Sequence, residues 1–388
     1  MKMIISACAA DNGKSGIGHY IQHTVPGLIN QLSPNSVEVY VESDNDFLDH
    51  LNDERTRIIA LPKIFSGAIG NLFWHLVLLP LITLFHKPST TVFLAANRRL
   101  APVLHGTSIG VVHDLSQLHI KGKYDQFRTF YVLKFLPVLM RKLDKIVSVS
   151  HSTAKDLINH VGIPKHRIQV VHNGAEIDRF TIKKQKAPLN SEFGIKKPYL
   201  LYTARLEHPG KNHVRLLEAF SLLKKRHDIQ MVFAGAPWNG AEAIYEKVEE
   251  LKLKDDVIIT GFVDSSDLPG LLQHAEIFVF PSLFEGFGIP LLEAMAAGTP
   301  ICAANVSSLP EVIDSCGLLF NPTDAGDMAQ VIDEILSIPS LGKSLAIKAT
   351  HRASTFTWAR SSSNLATEIR RTVFHRELCR MENSRMLH

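Results

Sequence analysis

Short apolar runs alternate with helix-periodic stretches along almost all of this chain, and that alternation restricts its fold more than any other feature. In the first half the runs are MIISAC, SVEVYV, RIIAL, TTVFLA, SIGVVHD, KIVSVS and IQVVHNG. In the second half they are YLLYTARL, IQMVFAG, VIITGFV, IFVFPS and TPICAA. Runs that are apolar at nearly every position suit strands covered on both faces, and strands separated by helices pair in parallel. The expectation is an α/β protein with doubly wound parallel sheets. At 388 residues, 45% of them hydrophobic and 21% charged, the chain can fill two or three cores of ~150 residues. Between Asn173 and Pro198 the pattern weakens into DRFTIKKQKAPLN, which reads as a linker. The expected division is 1–178, a linker at 179–197, a second domain at 198–357 and a helical segment at 358–388.

Composition excludes several classes. A net charge of +4 is too small for bulk nucleic-acid binding. The four cysteines, Cys8, Cys302, Cys316 and Cys379, form no C-x-x-C pair, which argues against zinc and against a disulfide framework. A reduced, cytoplasmic protein without a signal peptide is expected. Ile64–Phe85 contains no charged residue over 22 positions, and ~20 apolar residues can span a bilayer. Ser66, Asn71, His75 and Pro80 weigh against a span and favour a helix from Asn71, packed in a core or lying on a membrane. Residues 121–145 carry seven basic side chains among aromatic and aliphatic ones. That stretch suits an anionic bilayer surface or an amphipathic core-facing helix.

Glycines cluster in AADNGKSGIGHY, directly after the first apolar run. A P-loop would need glycine five positions before Gly13, where Cys8 stands, and G-x-G-x-x-G fails because Ile21 occupies the third glycine position. What remains is a strand, a glycine-rich loop and a helix starting near Gly18, whose amides can approach an anion. A plain flexible turn is the competing reading.

The second half holds a more particular constellation, PSLFEGFGIPLLEAMAAGTP at 281–300. Pro290 marks the first turn of a helix and Gly298 its end. Glu285 precedes the helix and Glu293 falls in its first turn or so, with the amides of Phe287, Gly288 and Ile289 at its start. Two carboxylates repel phosphate but accept hydrogen bonds from sugar hydroxyls. The bland alternative makes Glu293 a dipole complement and Glu285 a solvated loop residue. In YLLYTARLEHPGKNH, Arg205 follows a strand and Lys211 follows six residues later. Two such cations can neutralise a pyrophosphate, or be solvated surface charges. His113 stands at a strand end in SIGVVHD, one of 19 histidines. His113, Asp114 and His119 lack a matching cluster for a metal, and Asp44-Asn45-Asp46 reads as a solvated turn.

These stretches, with VSVSHSTAKDL, VVHNGAEIDRF and NVSSLPEV, resemble the retaining glycosyltransferases of the GT-B fold, family four. Ala204 stands where that family usually has glycine before the arginine. The resemblance implies two Rossmann-like domains facing a cleft. It implies a catalytic set of His113, Arg205, Lys211 and Glu285. Substrate-binding roles go to Gly16, Gly18, Phe287, Gly288, Ile289 and Glu293. Glu285 would hold the donor sugar, Glu293 the ribose, and Arg205 with Lys211 the departing diphosphate. Gly16 and Gly18 would close the phosphate side, His113 would lie by the sugar, and Lys14 and Ser15 would be incidental. Neither metal nor cofactor is implied. The donor would be a nucleotide-diphosphate sugar, GDP-mannose ahead of UDP-hexoses and dTDP-rhamnose. The acceptor would be a glycan or polyprenyl-linked glycan of cell-surface polysaccharide synthesis, with peripheral contact at the cytoplasmic face of the inner membrane. A nucleotide-sugar epimerase and a non-catalytic scaffold of the same fold are the alternatives.

Overall fold

The structure, a computed structural model, describes residues 1–8, 15–96, 100–120, 129–182 and 193–386. The chain divides into two compact units, each built on one parallel sheet. The first unit contains Met1–Leu118, the described residues 129–173 and the chain from Trp358. The second contains Gly174–Thr357 with His119 and Ile120.

In the first unit the strands are β1 (Lys2–Ser6), β2 (Ser36–Val41), β3 (Thr56–Ala60), β4 (Thr91–Leu94), β5 (Thr107–Val112), β6 (Lys145–Ser148) and β7 (Ile168–Val170). Their order is β3-β2-β1-β4-β5-β6-β7, so the winding reverses between β1 and β4. Every residue of β4 and β5 is buried, which is why these runs read as apolar throughout rather than alternating. Helix α1 (Gly16–Leu32) follows β1, with Ser15 as its N-cap.

The apolar stretch at 64–85 becomes α2 (Ala68–Phe73) and α3 (Leu79–Leu84), joined by a single π turn at Trp74–Leu78. A second π turn, Tyr131–Phe135, precedes α4 (Leu136–Lys142). These two π turns each sit just before a proline, Pro80 or Pro137, whereas a third, Leu157–Val161, ends at Gly162. A proline ring clashes with the carbonyl four residues back, and a widened turn relieves the clash. Among the described residues no helix is long and apolar enough to cross a membrane. Helix α5 (His151–Asp156) leads toward β7.

The second unit begins with α6 (Ile177–Thr181) and then alternates regularly: β8 (Tyr199–Thr203), α7 (His213–Leu223), β9 (Gln230–Ala234), α8 (Ala241–Glu250), β10 (Val257–Gly261), α9 (Leu268–His274) and β11 (Ile277–Phe280). It continues through α10 (Ile289–Ala297), β12 (Ile301–Ala304), α11 (Leu309–Ile313), β13 (Leu318–Phe320), α12 (Ala325–Ser337) and α13 (Pro339–Ala353). The sheet order is β10-β9-β8-β11-β12-β13, with the reversal between β8 and β11. The three-residue β13 is too short to stand out in the sequence.

The units part at Asn173 and Gly174 rather than at 178. Ala175 already bridges to Thr357, and α6 packs on α10. Of the expected linker, 183–192 lie outside the described residues. The terminal segment is not separate either. Helix α14 (Trp358–Met386) lies along α1 in the first unit. There Glu368 is buried and receives Lys145 Nζ at 2.7 Å, Arg376 pairs with Asp144, and a Cβ at Gly27 would strike Ser362 Oγ at 2.3 Å.

Candidate functional site

In open α/β sheets, ligands gather beyond the carboxyl ends of the strands where the winding reverses. In the second unit that point lies between β8 and β11, and the loops leaving these two strands carry Arg205, Lys211 and Glu285. The two loops are laced together. Leu283 N–H donates to Gly210 O at 3.0 Å. Tyr202 Oη donates to Lys211 O at 3.1 Å and shares a 2.9 Å hydrogen bond with Ser282 Oγ. Asn212, held in the left-handed region at φ 61°, donates through Nδ2 to Pro281 O at 3.0 Å and Pro322 O at 2.8 Å.

This lacing brings Lys211 Nζ to 2.7 Å from Glu285 Oε1. Burial pulls the Lys211 ammonium toward the neutral form, but the Glu285 contact and the Glu207 carboxylate overcome it and hold its pKa above the usual value. Arg205 takes a different position: its guanidinium lies 4.6 Å from the ring of Trp238, exposed. The two predicted diphosphate cations therefore share a loop, one paired with a carboxylate and the other stacked on an indole.

Glu285 and the loop after it are braced from β12. Glu285 N–H donates to Ser307 Oγ at 3.0 Å, and Ser308 Oγ bonds the carbonyls of Glu285 and Phe287, both at 3.0 Å. Gly288 caps α10 at φ 102°, a conformation that costs glycine little. Ile289 is the first helical residue, so the amides of Phe287, Gly288 and Ile289 sit at a helix start as expected. Glu293 does not lie in the first turn; no acidic residue does. Capping at Gly288 places it one turn in, which removes the dipole reading. Burial lifts its carboxyl to about 7, a rise moderated by Arg179 and reinforced by Glu176.

Beneath the Lys211 loop, His213 is fully buried between Tyr202 and Phe233, at ring distances of 4.8 and 5.0 Å. Burial, then the Lys211 charge, push its imidazole down to about 3. The unfolded chain binds that proton near 6.5, so this histidine's contribution is intact above that pH and is lost as pH falls toward 3. The loss is of order 5 kcal/mol at its limit. Melting temperatures measured from pH 7 to 4 should fall less steeply in His213→Phe than in the wild type; parallel curves would show the site to be silent.

In the first unit His113 ends β5 and is buried. Its Nε2–H donates to Ala95 O at 2.8 Å, after β4. Burial lowers its pKa, so the ring is neutral at pH 7 and Nδ1 keeps a lone pair suited to a sugar hydroxyl. Asp114 accepts from Ser116 N–H and Oγ–H, capping a turn. At α1, Gly16 opens the helix, but the Gly18 amide donates to Ser15 Oγ at 3.1 Å. The Gly18 amide is therefore engaged in the cap, and Ser15 serves the helix as its N-cap. Gly13 and Lys14 lie outside the described residues.

Sequence reading does not single out Asn212, Trp238, Ser307 or Ser308. The one available signal was the pair of hydroxyl residues in NVSSLPEV, placed to brace a neighbouring loop.

Two family models cover most of the chain. Residues 15–179 match Glycosyltransferase Family 4, and residues 183–352 match Glycosyl transferases group 1. The chain belongs to the family-four glycosyltransferases of the GT-B fold. Among curated members of the family, it is 31% identical over 295 residues to the serotype-specific mannosyltransferase WbdA of Escherichia coli, covering 73% of this chain. The matched part is 35% of WbdA, so the chain spans about a third of that relative's length. It is 28% identical to the O-antigen chain mannosyltransferase B of Escherichia coli, over 65% of this chain and 67% of that protein. Anabaena HepE, solved with UDP and glucose, shares the fold with a TM-score of 0.75 at 17% identity, over 95% of this chain and 99% of that one. WaaG, a glycosyltransferase of lipopolysaccharide biosynthesis, follows at a TM-score of 0.70 and 18% identity, over 95% and 99%.

Proposed function

We propose that this protein is a retaining, metal-independent mannosyltransferase. It moves mannose from GDP-mannose to a glycan or polyprenyl-linked glycan in cell-surface polysaccharide synthesis. The observation that carries the reading is the Lys211–Glu285 pair at the β8–β11 reversal, flanked by the amides that open α10. Cleaving the bond between the anomeric carbon and the diphosphate puts positive charge on the sugar and negative charge on the leaving group. Lys211, Arg205 and the helix-start amides stabilise the latter without a metal, and Glu285 orients sugar hydroxyls. Glu293 accepts the ribose hydroxyls. The acceptor hydroxyl attacks from the face that the diphosphate vacates, its oxygen bonding to the anomeric carbon while its proton leaves with the diphosphate. Mannose is favoured by the mannosyltransferase relatives.

Thermal shift with a panel of sugar nucleotides, in EDTA, tests this. GDP-mannose at 100 times its Kd should add about 2.7 kcal/mol of stability. A shift only with UDP-glucose or dTDP-rhamnose would replace the donor. A shift abolished by EDTA would overturn metal independence, and no shift with any sugar nucleotide would overturn the donor site.

A further inference from the structure

The loops leaving β8 and β9 run side by side beyond the ends of their strands. Leu206 N–H donates to Ala236 O at 2.9 Å, Trp238 N–H to Leu206 O at 3.0 Å and His208 N–H to Asn239 O at 3.0 Å. With the parallel bridge between Leu206 and Pro237, these bonds carry the pairing past Thr203 and Ala234, where the two strands end. Gly235 permits the close approach, since a Cβ there would collide with Ala204 O. The backbone thus sets Arg205 and Trp238 in one register, and the guanidinium carbon lies over the indole, 4.6 Å from the ring centre.

The contact uses one part of Arg205 and spares another. Arg205 is exposed, and among the described residues no hydrogen bond or ion pair engages its guanidinium. Trp238 is itself 51% exposed, so the ring is not there to fill a core. A carboxylate would also hold an arginine, as Glu285 holds Lys211 at 2.7 Å, but it would occupy N–H donors and offset the charge. An aromatic face attracts the cation through its π surface and leaves the N–H donors at the guanidinium edge unspent.

We propose that Trp238 is a positioning residue for the transfer reaction. Its indole holds the Arg205 guanidinium in place before the donor arrives, with charge and donors available to the diphosphate. This rests on the diphosphate role proposed above for Arg205 and extends it to the residue that orders it. Without such a platform, ordering a long side chain on binding lowers affinity by roughly 2- to 12-fold. Trp238 acts through Arg205 and does not touch the nucleotide.

The product nucleoside diphosphate carries the full charge of the leaving group, so its affinity reads the Arg205 site without an acceptor or a particular sugar. The test is calorimetric titration of the full chain and its variants with GDP and with UDP, compared on the nucleotide that the wild type binds more tightly. Arg205→Ala should weaken binding at least ~10-fold. Trp238→Ala and Trp238→Leu should each weaken it about fivefold. Leucine keeps apolar bulk but has no π face, whereas Trp238→Phe keeps a ring and should stay within about twofold of the wild type. In the Arg205→Ala background, Trp238→Ala should cost nothing further. The proposal fails if Arg205→Ala weakens binding while Trp238→Ala and Trp238→Leu do not, or if Trp238→Phe loses as much as Trp238→Leu. It also fails if Trp238→Ala costs the same with and without Arg205, which would place the indole against the nucleotide itself. Unchanged binding in Arg205→Ala would overturn it together with the diphosphate role of Arg205. A wild type that binds neither nucleotide would overturn it together with the donor site.

Discussion

Lys211→Met is expected to lower kcat by about 10²–10³-fold, the loss typical when a preorganised charge-stabilising group is removed. The expectation follows from where the ammonium sits. Its side chain is 23% exposed, and it touches the Glu285 carboxylate at 2.7 Å, itself 16% exposed. The field of Glu207 adds to that of Glu285 and keeps the lysine charged. A fixed cation at the reversal of the sheet offers little to the ground-state sugar but much to a diphosphate gaining charge, so kcat should fall more than KM rises. Stability should also drop, because methionine leaves Glu285 and Glu207 without their shared cation. Removing one member of a fully buried pair costs 3–5 kcal/mol, and the partial exposure here reduces that to about 1–2 kcal/mol. Steady-state kinetics and a melt of the same variant check both effects. A kcat within about threefold of wild type would remove Lys211 from the chemistry.

Glu293→Gln is expected to make the unliganded protein more stable and a worse donor binder. Burial lifts the Glu293 carboxyl to about 7, against roughly 4.3 in an unfolded chain. Between those values the native state holds a proton that the unfolded state has released. Stability from this group is thus present below about 4.3 and is lost as pH rises through 7. The full difference is about 4 kcal/mol, and the partial exposure of the side chain brings it to about 2 kcal/mol. Glutamine removes the charge, so the variant should melt higher than wild type at pH 8 and alike at pH 4. The same carboxylate must be ionised to accept from two ribose hydroxyls. Wild-type donor affinity should therefore weaken as pH falls below 7, and Glu293→Gln should bind donor at least ~10-fold more weakly at pH 8. A variant that melts lower at pH 8 would overturn the burial argument, and unchanged donor binding would overturn the ribose assignment.

What the sequence by itself determined is the part of the molecule governed by local rules. Continuous apolar runs such as YLLYT and IFVF are strands because a sheet covered on both faces leaves no position for a polar side chain. Pro290 and Gly298 bound α10 because proline suits a first turn and glycine a left-handed cap. The spacing from Glu285 to Glu293 is likewise local, although the position of the cap, which moved Glu293 out of the first turn, was not.

The tertiary structure alone decided what depends on contacts between distant residues. Lys211 and Glu285 are 74 positions apart and meet because β11 inserts beside β8, outside the order of the chain. Ser307 and Ser308 brace the Glu285 loop because β12 lies next to β11. Helix α14 joins the first unit through Lys145 and Arg376, whose partners no periodicity reveals. The exposure of Ile69, Phe73 and Leu81 along α2 and α3 was equally hidden. In a segment apolar on all sides the helical period carries no contrast, so only the packing of Trp74 and Leu79 against the sheet determines which side faces the solvent.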